Sequence, residues 1–312
     1  MSDSRKTAQF AAETSDSGEF VRQDSAFRRA VTADPSGEFP AVAGRYHLYV
    51  SYACPWAHRT LIVRRLKKLE DTISLSVVDP IRDERGWAFT DAPGCGPDPI
   101  QGFSFLSEAY RATDPDFSGR VTVPVLWDRE TGQVVNNESA EIIRMLNSEF
   151  DAFGDADVDL YPEPLRDAID EVNDRVYRDI NNGVYRCGFA TTQEAYERAF
   201  QALFDALDDV EERLTSRRRL VGDATTEADW RLFTTLIRFD AVYVGHFKCN
   251  KRRIADYPQL SRYLRELYET PGVAETVNFD HIKRHYYVTH QKLNPSGIVP
   301  LGPELELDAD PA

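Results

Sequence analysis

Ser51–Arg59 reads SYACPWAHR, between an apolar run, YHLYV (46–50), and TLIVRRLKKL (60–69). YHLYVS has the length and apolar content of a short strand, and PWAHRTLIVRRLKKL places Ala57, Leu61, Val63 and Leu66 among apolar positions spaced for a helix. Cys54 therefore stands where strand gives way to helix. The first turn of a helix exposes unpaired N–H groups and the positive end of the helix dipole, so a thiol there loses its proton more readily than a free cysteine does. Pro55 suits the first helical position, where no N–H is required. Arg59, one turn on, either adds positive potential or is solvated; His58 reads as an exposed or packing histidine rather than a general base.

Working outward, ISLSVVDP forms a second strand ended by Pro80, and residues 81–120, rich in Gly, Pro and Asp, form an irregular insertion with a short helix near Phe105–Tyr110. VTVPVLWD and GQVV follow as two strands at hairpin spacing, and ESAEIIRMLNSEF as a helix. The order is β-α-β, a connection, then β-β-α. The acidic, proline-punctuated DAFGDADVDLYPEP reads as a linker, and 165–290 as helical throughout. Tyr196, Phe200, Leu203, Phe204 and Leu207 share one stripe of a long helix, and Thr226 with Asp229 has the spacing of a capping box. The expected organisation is an N-terminal extension over 1–44, disordered or draped over the body, a first domain over 45–150, a helical domain over 165–290, and an irregular tail over 291–312.

Composition narrows the function classes. With 37 Lys and Arg against 52 Asp and Glu, the net charge is −15 in 312 residues, which argues against nucleic acid or an anionic membrane as partner. The excess of acid fits a salt-adapted cytosol and a high-GC genome with an acidic proteome equally well. No apolar run reaches membrane-spanning length and the first twenty residues are polar, so a cytoplasmic location is expected. Cys54, Cys95, Cys187 and Cys249 lie far apart, without metal-ligand spacing, so neither a metal site nor a disulfide framework is expected, and one of the four is a candidate reactive thiol.

Two further elements sharpen the reading. Proline inside VTVPVLWD removes a ladder donor; it is better read as a cis turn at Val123-Pro124, because a cysteine at the first helix and Val-Pro before the third strand make the thioredoxin-like pattern. In that pattern the residue before the proline pairs its backbone with a bound thiol peptide. Glu138 and Ser139, in NNESAEI, stand at a helix start. There a hydroxyl and free N–H groups suit a carboxylate, and an acid beside them suits an ammonium, the two charges of a γ-glutamyl group.

The chain resembles the glutathione transferases, specifically the Xi class, the glutathionyl-hydroquinone reductases. The resemblance runs through LYVSYACPWAHRTLIVRRLK, NNESAEIIRMLN, NNGVYRCGFA and HYYVTHQKLNPSGIVPLGP. It implies a thioredoxin-like N-terminal α/β domain followed by an all-α glutathione-transferase domain, acting as a homodimer. Cys54 is then the nucleophile. Trp87, Arg120, Val123, Glu138 and Ser139 hold the thiol peptide, with Arg120 against a carboxylate and Val123 through its backbone. Tyr185 and Tyr286, with Tyr287 and His290 as secondary candidates, line the acceptor pocket, where phenolic hydroxyls suit a hydroquinone. Glutathione is the implied cosubstrate; a salt-loving archaeal host would use γ-glutamylcysteine instead, a shorter ligand for Trp87 and Arg120. Neither metal nor nicotinamide is implied. Other readings of the same thiol are a glutaredoxin-like transferase or a dehalogenase of chlorinated hydroquinones, and beyond these a non-catalytic interaction module.

Overall fold

The structure, a computed structural model, describes residues 13–307. Its sheet comprises β1 (Tyr46–Val50), β2 (Ser74–Val77), β3 (Val125–Asp128) and β4 (Gln133–Asn136) in the order β2-β1-β3-β4. β1 runs parallel to β2, while β1 with β3 and β3 with β4 are antiparallel. All five residues of β1 are buried, as a central strand covered on both faces requires. The β3–β4 hairpin closes with Gly132 N–H donating to the Asp128 carbonyl at 2.9 Å, and Gly132 takes the left-handed φ of +66° that this turn demands. Val123-Pro124 is cis, as expected, and β3 starts only after it, at Val125.

Helix α1 (Pro55–Leu66) carries the chain from β1 to β2 and packs against α3 (Ser139–Ser148); α2 (Leu106–Thr113) packs against β4. The described part of the extension is draped rather than free. Asn137 N–H donates to the Phe27 carbonyl (3.0 Å) and Arg29 N–H to the Val135 carbonyl (3.1 Å), so residues 27–29 cover the open edge of β4. Residues 1–12 of the expected extension and 308–312 of the expected tail lie outside the described residues.

The chain separates into two compact units, whose described parts are 23–158 with 276–299, and 13–22 with 159–275 and 300–307. This departs from a helical domain running unbroken from 165 to 290. Helix α9 (Phe279–Arg284) and the π-helical turn His285–Thr289 are helical but cluster with the first unit. Long-range polar contacts that no helical period reveals hold them there: His58 Nε2 to Thr276 Oγ1 at 2.7 Å and His285 Nδ1 to the Pro80 carbonyl at 2.6 Å.

The second unit contains α4 (Arg166–Arg175), a π-helical turn (Val176–Asn181), α5 (Gly183–Gly188), α6 (Gln193–Arg213), α7 (Glu227–Arg238) and α8 (Pro258–Tyr268). Leu203, Phe204 and Leu207 of the α6 stripe are buried, joined by Ala195, Ala199 and Val210, while Tyr196 and Phe200 are only half-buried at its edge. The capping box forms, with Thr226 N–H donating to Asp229 Oδ2 at 2.8 Å. The buried Asp229 carboxylate also accepts from Leu220 N–H (3.0 Å) and from the Tyr263 hydroxyl (2.7 Å).

Asp229→Ala would remove the acceptor of four buried donors, Leu220 N–H, Thr226 N–H and hydroxyl, and the Tyr263 hydroxyl, and is expected to lower stability by about 3 kcal/mol, read by urea unfolding. Glu266 supplies a pH signature. Burial opposes its charge, but hydrogen bonds from Arg218, Arg219 and Arg262 at 2.8–3.0 Å outweigh burial and hold the carboxyl at about 2. Because this depressed value favours the ionised folded state, its contribution is present above the ordinary carboxylate value of 4.5 and is lost as pH falls toward 2. Glu266→Gln should therefore flatten the loss of stability between those limits, and an unchanged acid limb would contradict this.

Candidate active site

Cys54 is the N-cap of α1, with extended φ/ψ of −79° and 121°, Pro55 following it as the first helical residue. Its carbonyl accepts the first helical hydrogen bond, from His58 N–H at 3.0 Å, and its side chain caps nothing. The half-buried thiol instead faces the cis loop, with Sγ 3.5 Å from the Val123 carbonyl oxygen. Two stretches separated by about seventy residues, each singled out by its proline, thus meet at one sulfur.

The loop carrying Val123 is tied to the start of α3 by a residue that sequence reasoning missed. The buried Tyr110 hydroxyl donates to the Thr122 carbonyl (2.9 Å) and accepts from Thr122 N–H and Asn137 Nδ2, both at 3.1 Å. Asn137 precedes Glu138, the N-cap of α3, whose carboxylate accepts from Ala140 N–H (3.0 Å) and from the Ser25 hydroxyl (2.9 Å). Ser139 begins the helix and is buried. Arg120 is half-buried in the same loop as Val123. Nothing in the local spacing of Tyr110 marks it; only the doubled asparagine before Glu138 hinted at a polar junction.

Trp87 is buried and stacks on His285, ring centroids 5.1 Å apart at 21°, with the Arg82 guanidinium 5.3 Å from the indole. His285 in turn packs edge-on to Tyr286 (5.2 Å), and Tyr286 to His290 (5.5 Å). Of the sequence-predicted residues, Cys54 and Val123 therefore meet directly, Glu138 and Ser139 join them through Tyr110 and Asn137, and Trp87 reaches Tyr286 through His285. All of these belong to the first unit, whereas Tyr185 belongs to the second.

Other expectations change. Arg59 is not solvated: it is buried beneath Trp56, guanidinium 4.5 Å from the ring. His58 is not exposed; it is a packing histidine, fully buried and bonded to Thr276. Both follow from α1 burying residues all round its first two turns, where an amphipathic reading leaves one face wet. Tyr287 is half-buried, which pushes its phenol up. Burial raises the Cys95 thiol to about 11, while Cys187 and Cys249 are buried, the latter held well above the ordinary thiol value by desolvation and its neighbour Cys187.

Two family descriptions match the chain: "Glutathione S-transferase, N-terminal domain" over residues 53–149 and "Glutathione S-transferase, C-terminal domain" over 193–266. The glutathionyl-hydroquinone reductase PcpF of Sphingobium chlorophenolicum is 55% identical over 289 residues, covering 93% of this chain and 91% of that protein. The glutathione-bound structure of YqjG, a glutathione transferase homologue from Escherichia coli K-12, superposes with a TM-score of 0.89 at 54% identity over 91% of this chain and 94% of that one. The glutathione S-transferase Xi of Phanerochaete chrysosporium superposes at 0.90 with 52% identity, covering 93% and 94%.

The contrast among the four thiols predicts selective labelling. Limiting iodoacetamide at pH 7 should alkylate Cys54 ahead of Cys95, Cys187 and Cys249, read by peptide mass mapping; preferential modification of Cys95 would refute the assignment of Cys54 as the reactive thiol.

Proposed function

This chain belongs to the Xi class of glutathione transferases, and on that footing we propose that it is a glutathionyl-hydroquinone reductase that uses glutathione through a mixed disulfide at Cys54. The observation that carries the reading is the Cys54 thiol at the head of α1, facing the carbonyl of Val123 beside the cis proline. A helix N-terminus favours the thiolate, the form that attacks sulfur.

The reaction has two displacements at sulfur. In the first, the S-glutathionyl-hydroquinone is attacked as its non-aromatic keto tautomer. The Cys54 thiolate bonds to the glutathionyl sulfur, the carbon–sulfur pair flows into the ring, and the oxygen that becomes anionic takes a proton as the hydroquinone forms. Cys54 is left as a disulfide with glutathione. In the second, a glutathione thiolate attacks the glutathionyl sulfur of that adduct, releasing glutathione disulfide and restoring the Cys54 thiolate. One conjugate and one glutathione thus yield one hydroquinone and one disulfide.

In this reading the Val123 backbone pairs with the cysteinyl backbone of glutathione. Glu138 and Ser139 receive the γ-glutamyl group, where an exposed helix start suits its carboxylate and the Glu138 carboxylate its ammonium. Arg120 and Trp87 hold the glycine end. Tyr185 and Tyr286 hydrogen-bond the ring oxygens and pass the proton, with Tyr287 and His290 as flanking groups. Class membership supports a homodimer, and the net charge of −15 supports small molecules rather than nucleic acid or an anionic membrane as partners in the cytoplasm.

The test is steady-state release of hydroquinone from an S-glutathionyl-hydroquinone, with glutathione or γ-glutamylcysteine as reductant. The native chain should turn over with glutathione, Cys54→Ser should fall by about three orders of magnitude or more, and the native Cys54 adduct should be visible by intact mass. Glu138→Gln keeps the helix cap but not the charge, and should raise the KM for glutathione by about 10-fold with little change in kcat. No turnover of the conjugate by folded native protein would exclude the reductase, and rapid turnover of small disulfides alone would indicate a glutaredoxin-like enzyme.

A further inference from the structure

Tyr185 does not stand alone in the second unit. Residues 13–22, from the segment that sequence reading treated as an extension, form a clasp against α5 and the start of α6. The clasp turns on Ser15–Glu19, with Glu19 N–H donating to the Ser15 hydroxyl oxygen at 3.0 Å and Gly18 N–H to the Ser15 carbonyl at 2.9 Å. Thr191 N–H donates to the Gly18 carbonyl at 2.9 Å, the Thr192 hydroxyl donates to the Ser17 carbonyl at 3.0 Å, and Glu19 pairs with Arg198 at 3.0 Å. Gly18 is doubly required: its φ is +82°, and a Cβ there would lie 2.7 Å from Thr192 Cγ2. This anchoring delivers two side chains to Tyr185. The Phe20 ring stacks on it at 6.2 Å, and the Arg22 guanidinium lies 4.8 Å from its ring centroid while Arg22 Nε donates to Asn182 Oδ1 at 2.6 Å. Phe189, Tyr243 and Phe247 pack against the same phenol ring, so Arg22 is set over a ring that is itself fixed.

Building on the hydroquinone-reductase reading, we propose that Arg22 is a positioning residue for the first displacement, acting through Tyr185 by placing a fixed positive charge against the π face of the phenol that donates to the oxygen of the released ring. As the carbon–sulfur pair moves into the ring and negative charge collects on the substrate oxygen, the Tyr185 hydroxyl gives up proton density and its own oxygen becomes more negative. A cation at the ring face favours that redistribution, and it does so more in the transition state than in the bound conjugate. Asn182, bonded to the guanidinium, fixes where the charge sits. The second displacement involves sulfur only, with no ring oxygen and no phenol, so the effect of Arg22 is confined to the first. The bound ligand class is accordingly an aromatic conjugate with an oxygen substituent at the ring, not a simple alkyl disulfide.

The experiment separates the two steps. Single-turnover release of hydroquinone from 2-(glutathion-S-yl)-hydroquinone measures the first. Reduction by glutathione of a Cys54 adduct preformed with glutathione disulfide measures the second. Arg22→Met should slow the first by about 3- to 30-fold and leave the second, the glutathione KM and the melting temperature near native. Arg22→Lys, which restores charge without the Nε bond to Asn182, should recover most of the loss. In a Tyr185→Phe background, Arg22→Met should add little. Equal slowing of both steps, a native rate for Arg22→Met, failure of Lys to rescue, or full additivity with Tyr185→Phe would each overturn the proposal. A native chain that releases no hydroquinone would instead overturn the reductase reading beneath it.

Discussion

The hydroxyl of Tyr110 is the joint on which the thiol-facing end of the first unit depends. A phenol offers one donor and two acceptor positions, and here all three are used: the donor on the Thr122 carbonyl, the acceptors for Thr122 N–H and Asn137 Nδ2. Buried and fully paired, it holds the loop that ends in Val123 against the residue that precedes the α3 cap. Without it, the N–H and carbonyl of Thr122 and one N–H of the Asn137 amide would each lose a partner in the core, a cost far above the net worth of one hydrogen bond. The place where Cys54 meets Val123 is thereby fixed by an atom that belongs to neither.

The rest of the first unit is arranged to leave that junction accessible. α1 is buried all round its first two turns, so its head does not move independently of the sheet, yet Cys54 at the tip stays only half-buried. His58 bonds Thr276 and Arg59 lies under Trp56, so neither basic side chain of the CPWAHR motif stands as a solvated charge. What such a thiol gains from position is the helix terminus, held in place by packing.

Much of this was legible from sequence because the signals are local. Cys-Pro at a strand-to-helix turn, proline before a strand, Glu-Ser before an apolar helix and the Thr226–Asp229 spacing each act within a few residues, and all reappear as an N-cap, a cis bond, a helix start and a capping box. What escaped depends on contacts at long range in sequence. Tyr110 looks like any tyrosine on a short helix until Thr122 and Asn137 close on it. The return of 276–299 to the first unit is invisible to helical periodicity, which reports that a segment is helical and not what it packs against. For the extension, polar composition left disorder and draping both open; the described part is draped, its backbone covering the edge of β4 and its few aromatic and cationic side chains doing the packing.

The acidic surface and the arginines inside follow from one constraint. In a chain with net charge −15 the cations are the scarcer partner, yet three guanidiniums, of Arg218, Arg219 and Arg262, converge on the single Glu266 carboxylate. A guanidinium suits that role because it is planar, stays charged and loses less hydration than an ammonium on leaving water. The same properties let it lie against aromatic faces, as Arg59 does on Trp56, Arg82 on Trp87 and Arg22 on Tyr185. Lysine, a compact and strongly hydrated point charge, does this less often among the described residues, as at Lys251 over Phe204 at 5.6 Å. The preference for arginine is therefore not only compositional: the same side chain balances acid in ion pairs and lies against aromatic rings.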